Sequence, residues 1–519
     1  MEEASTSVLV VGGSLVGLSA AVFLAWQGVD VVLVETHAGS HPHPRAVGYP
    51  PRTMELFRAV GLASVIPEAP AGFRLLRCKV ESLAGKWFEE SDWTPPEKKQ
   101  AAPRMEYSPH TGAAIAQDRL EPILRDKARA LGADLRLGTE LLRFEQDAQG
   151  VTAWMRERSS GREYTLRAAY MIAADGSRSP VREALGIGRK GPGHLRTVRS
   201  VLFRAPLAEY LAKGIMQFEI EQPDLKAFLT TYADGRWVLM FMDDIERDDK
   251  TLLACVAQAI GRSDLPIEII TTGRWELSAL IADRFASGRV FLAGDAAHTL
   301  PPTRGGYGAN TGIHDVHNLA WKLAAVLSGA ATPKLLDTYD AERRPVAWVR
   351  LEQTFVRPDY AKHAPSVAEG VGILDEAAVE FGQLYRSTAV MGAGDELPKA
   401  ARPDDWAGQP GTRAPHAWVT VNGERASTLD LFQRDWVLLT ENEHWVSAAR
   451  ACGAKVRCVR MGVDFQTSHA EALRKAFGLG EGGASLIRPD GYVAWRSTDL
   501  PKEPARILAD VLDQVAERP

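Results

Sequence analysis

The hydrophobic positions near the start of the chain change from a continuous run to a helical spacing and back to a run. Val8–Val11 is a short apolar stretch rich in β-branched residues, and the apolar side chains of residues 15–25 recur at i, i+3 and i+4 spacing. Gly28 stops this helical pattern, and a second apolar run ends at Glu35. The pattern predicts a strand, a helix and a second strand that together form a βαβ unit.

The glycine-rich turn between the first strand and the helix is the first candidate ligand site. Gly12 suits a tight bend and Gly17 lets the helix approach the sheet, so that backbone N–H groups and the helix dipole face a pyrophosphate. Ser14 takes the place of the middle glycine of a G-x-G-x-x-G fingerprint, and Leu15 follows it. Glu35 is placed to accept from ribose hydroxyls and disfavours a 2′-phosphate. The turn alone does not distinguish NAD from FAD, nor a ligand site from an ordinary glycine turn.

Two later segments repeat the change from an apolar strand to a polar turn and a helix. In the segment 170–186, Asp175 follows an apolar strand, and in the segment 290–295 a strand runs into Asp295. A helix with regular apolar spacing follows the second of these turns, and another predicted helix begins near Gln117. Strand ends of this kind are the usual place for ligand contacts in an open parallel sheet.

The stretch between these two turns alternates apolar and polar residues. Residues 226–244 are predicted to form a hairpin around 233–236, with further strands on both sides, which indicates a mainly antiparallel sheet. Large side chains of this region are candidates for a pocket, although each of them is also typical of an ordinary core. The candidate pocket residues are Phe228, Tyr232, Trp237, Met240 and Trp275.

The composition changes after about residue 400. The stretch 401–419 is rich in Pro and Gly and indicates a domain boundary. The pattern beyond it predicts the order βαβαββα, and the four cysteines of the chain form no CxxC pair. The predicted elements are strands at 436–439 and 456–459, helices at 443–452 and 466–477, and a hairpin around Asp490.

Length, charge and cysteine usage narrow the class of protein. A chain of 519 residues is expected to form two or three domains, and its net charge of −5 with interspersed signs argues against nucleic acid or an anionic membrane as the main partner. The scattered cysteines, the acidic start and the lack of a long apolar run predict a cytoplasmic protein with no membrane segment. The expected ligand is therefore a small molecule.

The three motifs at 12–17, 175–182 and 294–302 occur together in one protein family. They resemble the single-component FAD-dependent aromatic hydroxylases, the p-hydroxybenzoate hydroxylase-like flavin monooxygenases, and the C-terminal part is similar to the thioredoxin-like domain of some polyketide-tailoring hydroxylases. The resemblance implies an α/β fold: a Rossmann-like FAD-binding domain, an inserted, mainly antiparallel substrate-binding sheet, and a C-terminal thioredoxin-like domain without CxxC. The expected divisions are 1–75, 106–186 and 276–400 for the FAD-binding domain, 76–105 and 187–275 for the substrate-binding domain, and 401–519 for the C-terminal domain.

The resemblance also assigns roles to residues. It implies that Glu35 binds the adenosine ribose, that Asp295 binds the flavin-side sugar, and that the loop 301–312 passes the isoalloxazine. Arg45 is expected to lie against the flavin and move with it, the alternative being an ordinary surface arginine. The expected cofactor contacts are Gly12, Ser14, Leu15, Gly17, Glu35, Arg45, Gln117, Asp175, Asp295, Pro302, Gly308 and Asn310. The expected catalytic residues are Arg45, Pro302 and Gly305.

The function implied by the resemblance is hydroxylation of an aromatic, phenolic and polycyclic substrate with NAD(P)H and O₂, through a flavin C4a-hydroperoxide. FAD is expected to be non-covalent, and NAD(P)H to bind transiently because the chain has no second dinucleotide fingerprint; no metal is expected. Two alternatives stay open: Baeyer–Villiger or epoxide-forming oxygenation by the same flavin, and a flavin-containing protein that sequesters an aromatic antibiotic without turnover. The sequence leaves open the exact substrate, NADH against NADPH, and a monomer against a homo-oligomer.

Overall fold

The first sheet is built around the predicted βαβ unit. The structure is a computed structural model that describes residues 4–70, 76–92, 106–302, 306–452 and 455–518. Strands and helices are numbered separately in chain order. Across the sheet the strands are β16 (Ala286–Ser287), β17 (Val290–Leu292), β10 (Glu163–Ala173), β1 (Ala4–Val11), β2 (Val31–Glu35) and β7 (Asp134–Leu137), and β9 (Val151–Glu157) and β8 (Thr139–Gln146) extend it beside β10. Strands β17, β10, β1, β2 and β7 run parallel, so their carboxyl ends lie at one edge.

Helices pack closely on this sheet because small residues permit it. Helix α1 (Leu15–Trp26) contacts both α3 (Gln117–Ala130) and α6 (Tyr307–Leu327). A Cβ on Gly312 of α6 would lie 2.5 Å from Cγ2 of Val16, so the two helices meet at backbone distance. The other helices of the first 400 residues are α2 (Pro51–Ala59), α4 (Pro180–Ala184), α5 (Asp249–Ile260), α7 (Thr338–Phe355), α8 (Pro358–Ala361), α9 (Pro365–Ala368) and α10 (Glu376–Phe381).

The second sheet is mainly antiparallel, as the alternating pattern predicts. Its strands, in order, are β18 (His298–Thr299), β15 (Glu268–Ala282), β11 (Arg189–Arg204), β14 (Arg236–Phe241), β13 (Lys226–Thr231), β12 (Ile215–Glu221), β4 (Leu76–Val80) and β5 (Trp87–Asp92). Only β12 and β4 pair in parallel among these described strands. Strand β15 continues past residue 275, where we place a domain boundary, and a short ladder of β3 (Gly48–Tyr49) and β6 (Ala113–Ala114) lies outside both large sheets.

The two faces of the second sheet have different environments, and one predicted pocket residue lies on the wrong face. Leu239 and Trp237 belong to the core between this sheet and α5, and Trp237 is 1% exposed. Phe228 and Met240 are paired across β13 and β14 and point to the opposite face, where they are half-buried. Since successive side chains of a strand alternate between faces, Trp237 is a core residue, and its assignment to the pocket is wrong.

The C-terminal domain has the strand and helix order that the sequence predicts. Its sheet has the order β22 (Val456–Arg460), β21 (Trp436–Thr440), β23 (Ala484–Ile487) and β24 (Val493–Ser497), with only the first pair parallel. This arrangement is consistent with the expected thioredoxin-like domain. The remaining elements are α11 (Pro403–Trp406), β19 (Trp418–Val421), β20 (Glu424–Ser427), α12 (Glu443–Ala451), α13 (Ala470–Phe477) and α14 (Pro504–Val515).

Buried ion pairs join this domain to the helices that follow the first sheet. Arg488, in the turn between β23 and β24, donates to Glu342 of α7 at 2.6 and 2.9 Å. Lys322 of α6 donates to the same carboxylate at 2.8 Å, and all three side chains are fully buried. A second buried pair connects Arg413 with Glu55 of α2. The C-terminal domain therefore contacts the same helix, α6, whose first turn lies at the candidate site.

Candidate flavin and substrate site

The three sequence motifs come together at the carboxyl ends of neighbouring parallel strands. Val11 at the end of β1 pairs with Ala173 of β10, and Ala173 pairs with Leu292 of β17. The turns that carry Gly12, Asp175 and Asp295 follow directly, although up to 283 residues separate them in the sequence. This edge is where open parallel sheets place their ligands.

The first turn is shaped by a glycine and by a hydrogen bond from another helix. Gly12 has a φ of 105°, and a Cβ there would lie 2.3 Å from the carbonyl oxygen of Ala174. Ser14 donates its hydroxyl to Oε1 of Glu121 at 2.8 Å and accepts from Nε2 of Gln117 at 2.9 Å. Helix α3 thus holds the serine that replaces the middle glycine, through the side chains of Gln117 and Glu121. Glu121 is absent from the sequence prediction, and its i+4 spacing from Gln117 is the signal that would have found it.

The remaining residues of this motif divide into packing and ligand-facing groups. A Cβ on Gly17 would lie 1.8 Å from the carbonyl oxygen of Gly12, so Gly17 lets α1 approach the turn, as predicted. The Leu15 side chain is in the core, which leaves only its backbone for a ligand. Glu35 accepts the N–H of Gly13 at 2.6 Å through Oε2. Its carboxylate is fixed beside the turn and keeps acceptor capacity for ribose hydroxyls.

The second motif ties its own turn to the third motif. Asp175 accepts the N–H of Val181 at 3.1 Å through Oδ2, while its Oδ1 is buried with no hydrogen-bond partner among the described residues. Burial raises the pKa of this carboxyl. The buried Arg182 donates to the carbonyl oxygen of Ala296 at 3.2 Å, so the turns at 175 and 295 are held together.

The Asp295 carboxylate has no partner among the described residues. Its side chain is exposed, and no described residue forms a hydrogen bond or ion pair with it. The surrounding protein still raises its pKa by desolvation, against the opposing charges of His298 and Arg45. A carboxylate that is surrounded by protein yet open to solvent lies in a cleft, where a ligand hydroxyl can donate to it.

His298, in contrast, has a structural environment. Its Nε2 lies 2.7 Å from Oδ2 of Asp315, whose Oδ1 accepts from Arg343 at 2.8 Å, and all three residues are fully buried. Asp315 also accepts the N–H of Gly294 at 3.3 Å. Burial alone would raise the pKa of Asp315, but His298 and Arg343 hold it below its usual range. The cluster fixes the turn that presents Asp295.

The loop before α6 is described up to Pro302 and again from Gly306. Pro302 is exposed, and its carbonyl oxygen accepts the hydroxyl of Tyr360 at 2.7 Å. Gly306 caps α6 with a φ of 57°, and Gly308 lies in the first turn, where backbone N–H groups have no intrahelical acceptor. These donors and the helix dipole suit an electron-rich ring edge. The predicted catalytic residue Gly305 lies outside the described residues.

Asn310 has a structural role at the start of α6. Its amide nitrogen donates to the carbonyl oxygens of Gly48 at 3.1 Å and Gly306 at 2.8 Å, and its amide oxygen accepts the hydroxyl of Thr53 at 2.8 Å. The side chain is 1% exposed. Because its side-chain donors are used within the protein, Asn310 holds the start of α6, and a cofactor contact of this residue stays a prediction.

Arg45 lies between the two sheets. Its backbone N–H donates to Oε1 of Gln117 at 3.3 Å, and its guanidinium carbon lies 5.7 Å from the centre of the Trp275 ring. The same charge contributes to the pKa of Asp295. Arg45 therefore contacts an aromatic ring of the second sheet, and its charge acts on a carboxylate that follows a strand of the first sheet.

The open face of the second sheet presents a row of residues next to Arg45. Gly273, Ser200, Met240 and Phe228 are in register across β15, β11, β14 and β13, and Trp275 is two residues from Gly273. Tyr232 reaches the loop of Arg45 and donates its hydroxyl to the carbonyl oxygen of Pro44 at 2.7 Å. Gly273 makes room for the Trp275 indole, and Met240 and Phe228 are half-buried on the same face.

The residues at this edge of the first sheet fit an FAD molecule. A glycine cradle lies at the start of α1, Asp175 Oδ1 lacks a partner, and Asp295 is open at the same edge. The described residues contain no cluster of His, Cys, Asp or Glu suited to a metal ion. None of the helices in the described ranges combines the length and apolar character that crossing a bilayer requires.

Comparison with known protein families gives the class of this chain. An FAD-binding domain family matches residues 5–354, and the C-terminal domain of aromatic-ring hydroxylases matches residues 407–519. The chain belongs to the FAD-dependent aromatic-ring hydroxylases, which confirms the resemblance of its three motifs. It is a flavin-dependent monooxygenase with FAD as its cofactor.

Individual relatives cover nearly the whole chain. The aklavinone 12-hydroxylase of Streptomyces purpurascens is 39% identical over 100% of both chains. The 4-methyl-5-nitrocatechol 5-monooxygenase of a Burkholderia species is 38% identical over 98% of this chain and 97% of the relative. Among solved structures, a ternary complex of aklavinone-11 hydroxylase with FAD and aklavinone is similar with a TM-score of 0.87 and 37% identity, covering 100% of both chains.

Proposed function

We propose that this enzyme uses NAD(P)H and O₂ to hydroxylate a phenolic ring of a polycyclic, polyketide-type aromatic substrate. The observation that carries the proposal is the contact of Arg45 with Trp275 on the aromatic face, 5.7 Å from guanidinium carbon to ring centre, together with the effect of its charge on the unpartnered carboxylate of Asp295. FAD, when bound, accepts hydride and activates O₂. The protein then has to hold the cofactor and the substrate ring on the two sides of Arg45.

The chain's own residues bind and orient the cofactor. Asp295 accepts a hydroxyl of the flavin-side sugar, Glu35 accepts ribose hydroxyls, and the backbone N–H groups after Gly12 bind the pyrophosphate. The first turn of α6, with Gly308, presents N–H donors and positive potential to the flavin edge that gains negative charge on reduction. Each of these groups lies at the shared edge of the first sheet.

The second sheet orients the substrate and excludes water. Trp275 on β15 and Phe228 on β13 are separated by two strands, which places them roughly 14 Å apart at the usual strand spacing. Between them, Ser200 is covered by Trp275 and His43, and the half-buried Met240 lies next to Phe228 on the open part of this face. This width supports a polycyclic substrate over a single ring, and an apolar cover favours oxygen transfer because water diverts the activated oxygen to H₂O₂.

The test compares a polycyclic with a monocyclic substrate, because the names of the relatives include substrates of both kinds. The relatives named above are an aklavinone hydroxylase and a nitrocatechol monooxygenase. Purified enzyme is supplied with NAD(P)H and ¹⁸O₂ together with a polycyclic phenol or a monocyclic catechol, and products are analysed by mass spectrometry. We expect one ¹⁸O atom in the ring of the polycyclic phenol. Reactions without NAD(P)H are the control.

Other products would support the other candidate functions. A lactone or an epoxide containing ¹⁸O would indicate Baeyer–Villiger or epoxide-forming chemistry. Stoichiometric H₂O₂ without a labelled product would contradict the monooxygenase proposal, and no substrate-dependent O₂ consumption would favour a flavin-containing binding protein. Acid precipitation is expected to release FAD into solution, because the described flavin loops contain no cysteine. FMN, or colour retained in the pellet, would contradict non-covalent FAD.

NAD(P)H has no dedicated domain in this proposal. We infer that it binds transiently at the surface and that the flavin reaches it by moving together with Arg45. A substrate on the second sheet would then accelerate flavin reduction by favouring one flavin position. A tenfold acceleration requires a differential binding free energy of about 1.4 kcal/mol, which one substrate can provide.

A further inference from the structure

Three residues from distant parts of the chain form a hydrogen-bonded group between the loop of Arg45 and the second sheet. His43 Nε2 lies 2.9 Å from the Ser200 hydroxyl, and Trp275 Nε1 donates to the same oxygen at 2.9 Å. The rings of His43 and Trp275 meet edge to face at 5.1 Å. His43 and Ser200 are each 2% exposed. The sequence prediction contains Trp275 but neither of the other two residues.

The direction of these hydrogen bonds follows from the chemistry of the three groups. The indole N–H of Trp275 is a donor only, so Ser200 accepts from it and has its own O–H free to donate. Burial lowers the pKa of His43 to about 4, so the ring is neutral near pH 7. With its proton on Nδ1, the neutral ring accepts the Ser200 O–H at Nε2. The chain Trp275 to Ser200 to His43 then has one direction.

Steric packing around the group is also tight. A Cβ on Gly273 would lie 2.6 Å from Trp275 Nε1, 2.8 Å from the Ser200 hydroxyl and 3.1 Å from Cδ2 of His43. Gly273 is therefore the position at which the sheet makes room for the group. A side chain there would displace at least one of the hydrogen-bonded atoms.

The chain on the two sides of Arg45 is held by different parts of the fold. Before Arg45, His43 is bound to Ser200 and the Pro44 carbonyl accepts from Tyr232, and both partners belong to the second sheet region. After Arg45, the N–H of Ala46 donates to Gln117 of α3, and Gln117 donates its own N–H back to Ala46. Arg45 is thus the junction between a segment fixed to the substrate sheet and a segment fixed to the FAD-binding domain.

We propose that His43 is a positioning residue: through Ser200 and Trp275 it docks the Arg45 loop on the substrate sheet and couples the substrate face to the position of Arg45. This inference rests on the proposed function in one respect, the identity of the molecule on that face. A substrate that packs against Trp275 changes the ring contact with His43, and the change reaches Arg45 two residues later. Because His43 is 2% exposed, its assigned role is to position the loop and not to take part in the reaction.

The first test measures docking without cofactor or substrate. Hydrogen–deuterium exchange of the peptide covering residues 41–47 is compared in the apoprotein for wild type, Ser200→Ala and His43→Phe. We expect about fivefold faster exchange in both variants, the scale of one hydrogen bond. Ser200→Thr, which keeps the hydroxyl, should restore slow exchange. Unchanged exchange in Ser200→Ala and His43→Phe would overturn the proposal.

The matched control is a similar group in the C-terminal domain. His416 Nδ1 lies 2.8 Å from the Ser427 hydroxyl and meets the Trp418 ring edge to face at 4.9 Å. Ser427→Ala removes the same kind of bond from a buried histidine elsewhere in the fold. It should leave exchange at 41–47 unchanged, and an equal increase would show a global effect and overturn the proposal.

The second test uses the FAD-loaded enzyme and separates docking from catalysis. Anaerobic flavin reduction by NAD(P)H is measured with and without a polycyclic phenol. Ser200→Ala should reduce the acceleration by substrate, and in an Arg45→Ala background it should have no further effect, because His43 acts only through the Arg45 loop. Additive effects of the two substitutions would overturn the coupling. If exchange responds as expected while no labelled product forms in any substrate test, docking is supported and the proposed function fails.

Discussion

Carboxylates at the domain interface and in the cleft differ in whether they have partners. At the interface Glu342 accepts from Arg488 and Lys322, and burial, which alone would raise its pKa, is outweighed so that the pKa falls far below its usual range. In the cleft Asp295 has no described partner and Asp175 has a buried oxygen without one, and desolvation raises both pKa values. Carboxylates thus show opposite pKa shifts in the two regions.

The difference separates structural from ligand-binding carboxylates. Desolvating a carboxylate is costly, and an opposite charge in good geometry offsets that cost within the protein. A carboxylate kept in a desolvated cleft with no partner retains its cost until a ligand donates to it. Clusters of partnered charge therefore indicate interfaces between elements, and unpartnered charge at a sheet edge indicates a ligand site.

The largest expected effect is a loss of stability when the buried ion pairs of the domain interface are broken. Glu342→Ala leaves Arg488 and Lys322 buried without their shared carboxylate, which should lower the free energy of unfolding by about 3–5 kcal/mol. Chemical denaturation monitors this loss. Glu352→Ala on the same helix removes a carboxylate that pairs with the exposed Lys399 at 3.2 Å, and it should cost at most about 1 kcal/mol. Equal losses in the two variants would contradict the assignment of Glu342 to a structural pair.

A smaller but more selective effect is expected in the cleft. Asp295→Ala removes a charge-assisted acceptor for a cofactor hydroxyl, which should weaken FAD binding by about 1.5–3 kcal/mol, or roughly tenfold to a hundredfold. The apoprotein should be no less stable, because no described residue depends on this carboxylate. Flavin content after purification and FAD titration of the apoprotein measure the effect. Full flavin occupancy at low free FAD would show that Asp295 does not hold the cofactor.

The predictable part of the molecule is the part encoded by local patterns. The strand, turn and helix around Gly12 follow from residue spacing alone, and the parallel sheet then brings the ends of β1, β10 and β17 to one edge. The order of strands and helices along the C-terminal domain was likewise predictable, although α13 begins at Ala470 rather than at residue 466. The face of Trp237 was also predictable in principle, because positions 237 and 240 differ by an odd number and lie on opposite faces of one strand.

Contacts between distant segments were not predictable from one sequence. Ser14 and Glu121 are 107 residues apart, and His43 and Ser200 are 157 residues apart. No spacing rule links such pairs, since their proximity depends on how the two sheets and α3 pack together. The structural position of Asn310 depends in the same way on a contact with the loop at Gly48.

The smallest expected effect comes from Glu380, which lies beside a paired carboxylate but has only a backbone partner. The half-buried Glu380 accepts the N–H of Arg52 at 2.9 Å, and desolvation together with the neighbouring Glu55 raises its pKa to about 7, against Arg350 and Arg413. Glu55 itself pairs with Arg52 and Arg413, and its pKa is lowered despite its burial. The neighbouring carboxylates Glu55 and Glu380 therefore show the same contrast: the one with cationic partners has a lowered pKa, and the one without has a raised pKa.

Glu380→Gln tests this contrast through the pH dependence of stability. Because the folded-state pKa of about 7 lies above the ordinary value of 4.5, the folded protein binds more protons between these pH values, and this contribution to stability is lost as pH rises through 7. Glutamine keeps the acceptor for Arg52 without the charge. The variant should match wild type near pH 5 and exceed it by about 1–2 kcal/mol at pH 8, as measured by thermal unfolding. Glu376→Gln, on the exposed side of the same helix, controls for the loss of one negative charge, and an equal stabilisation there would remove the special role of Glu380.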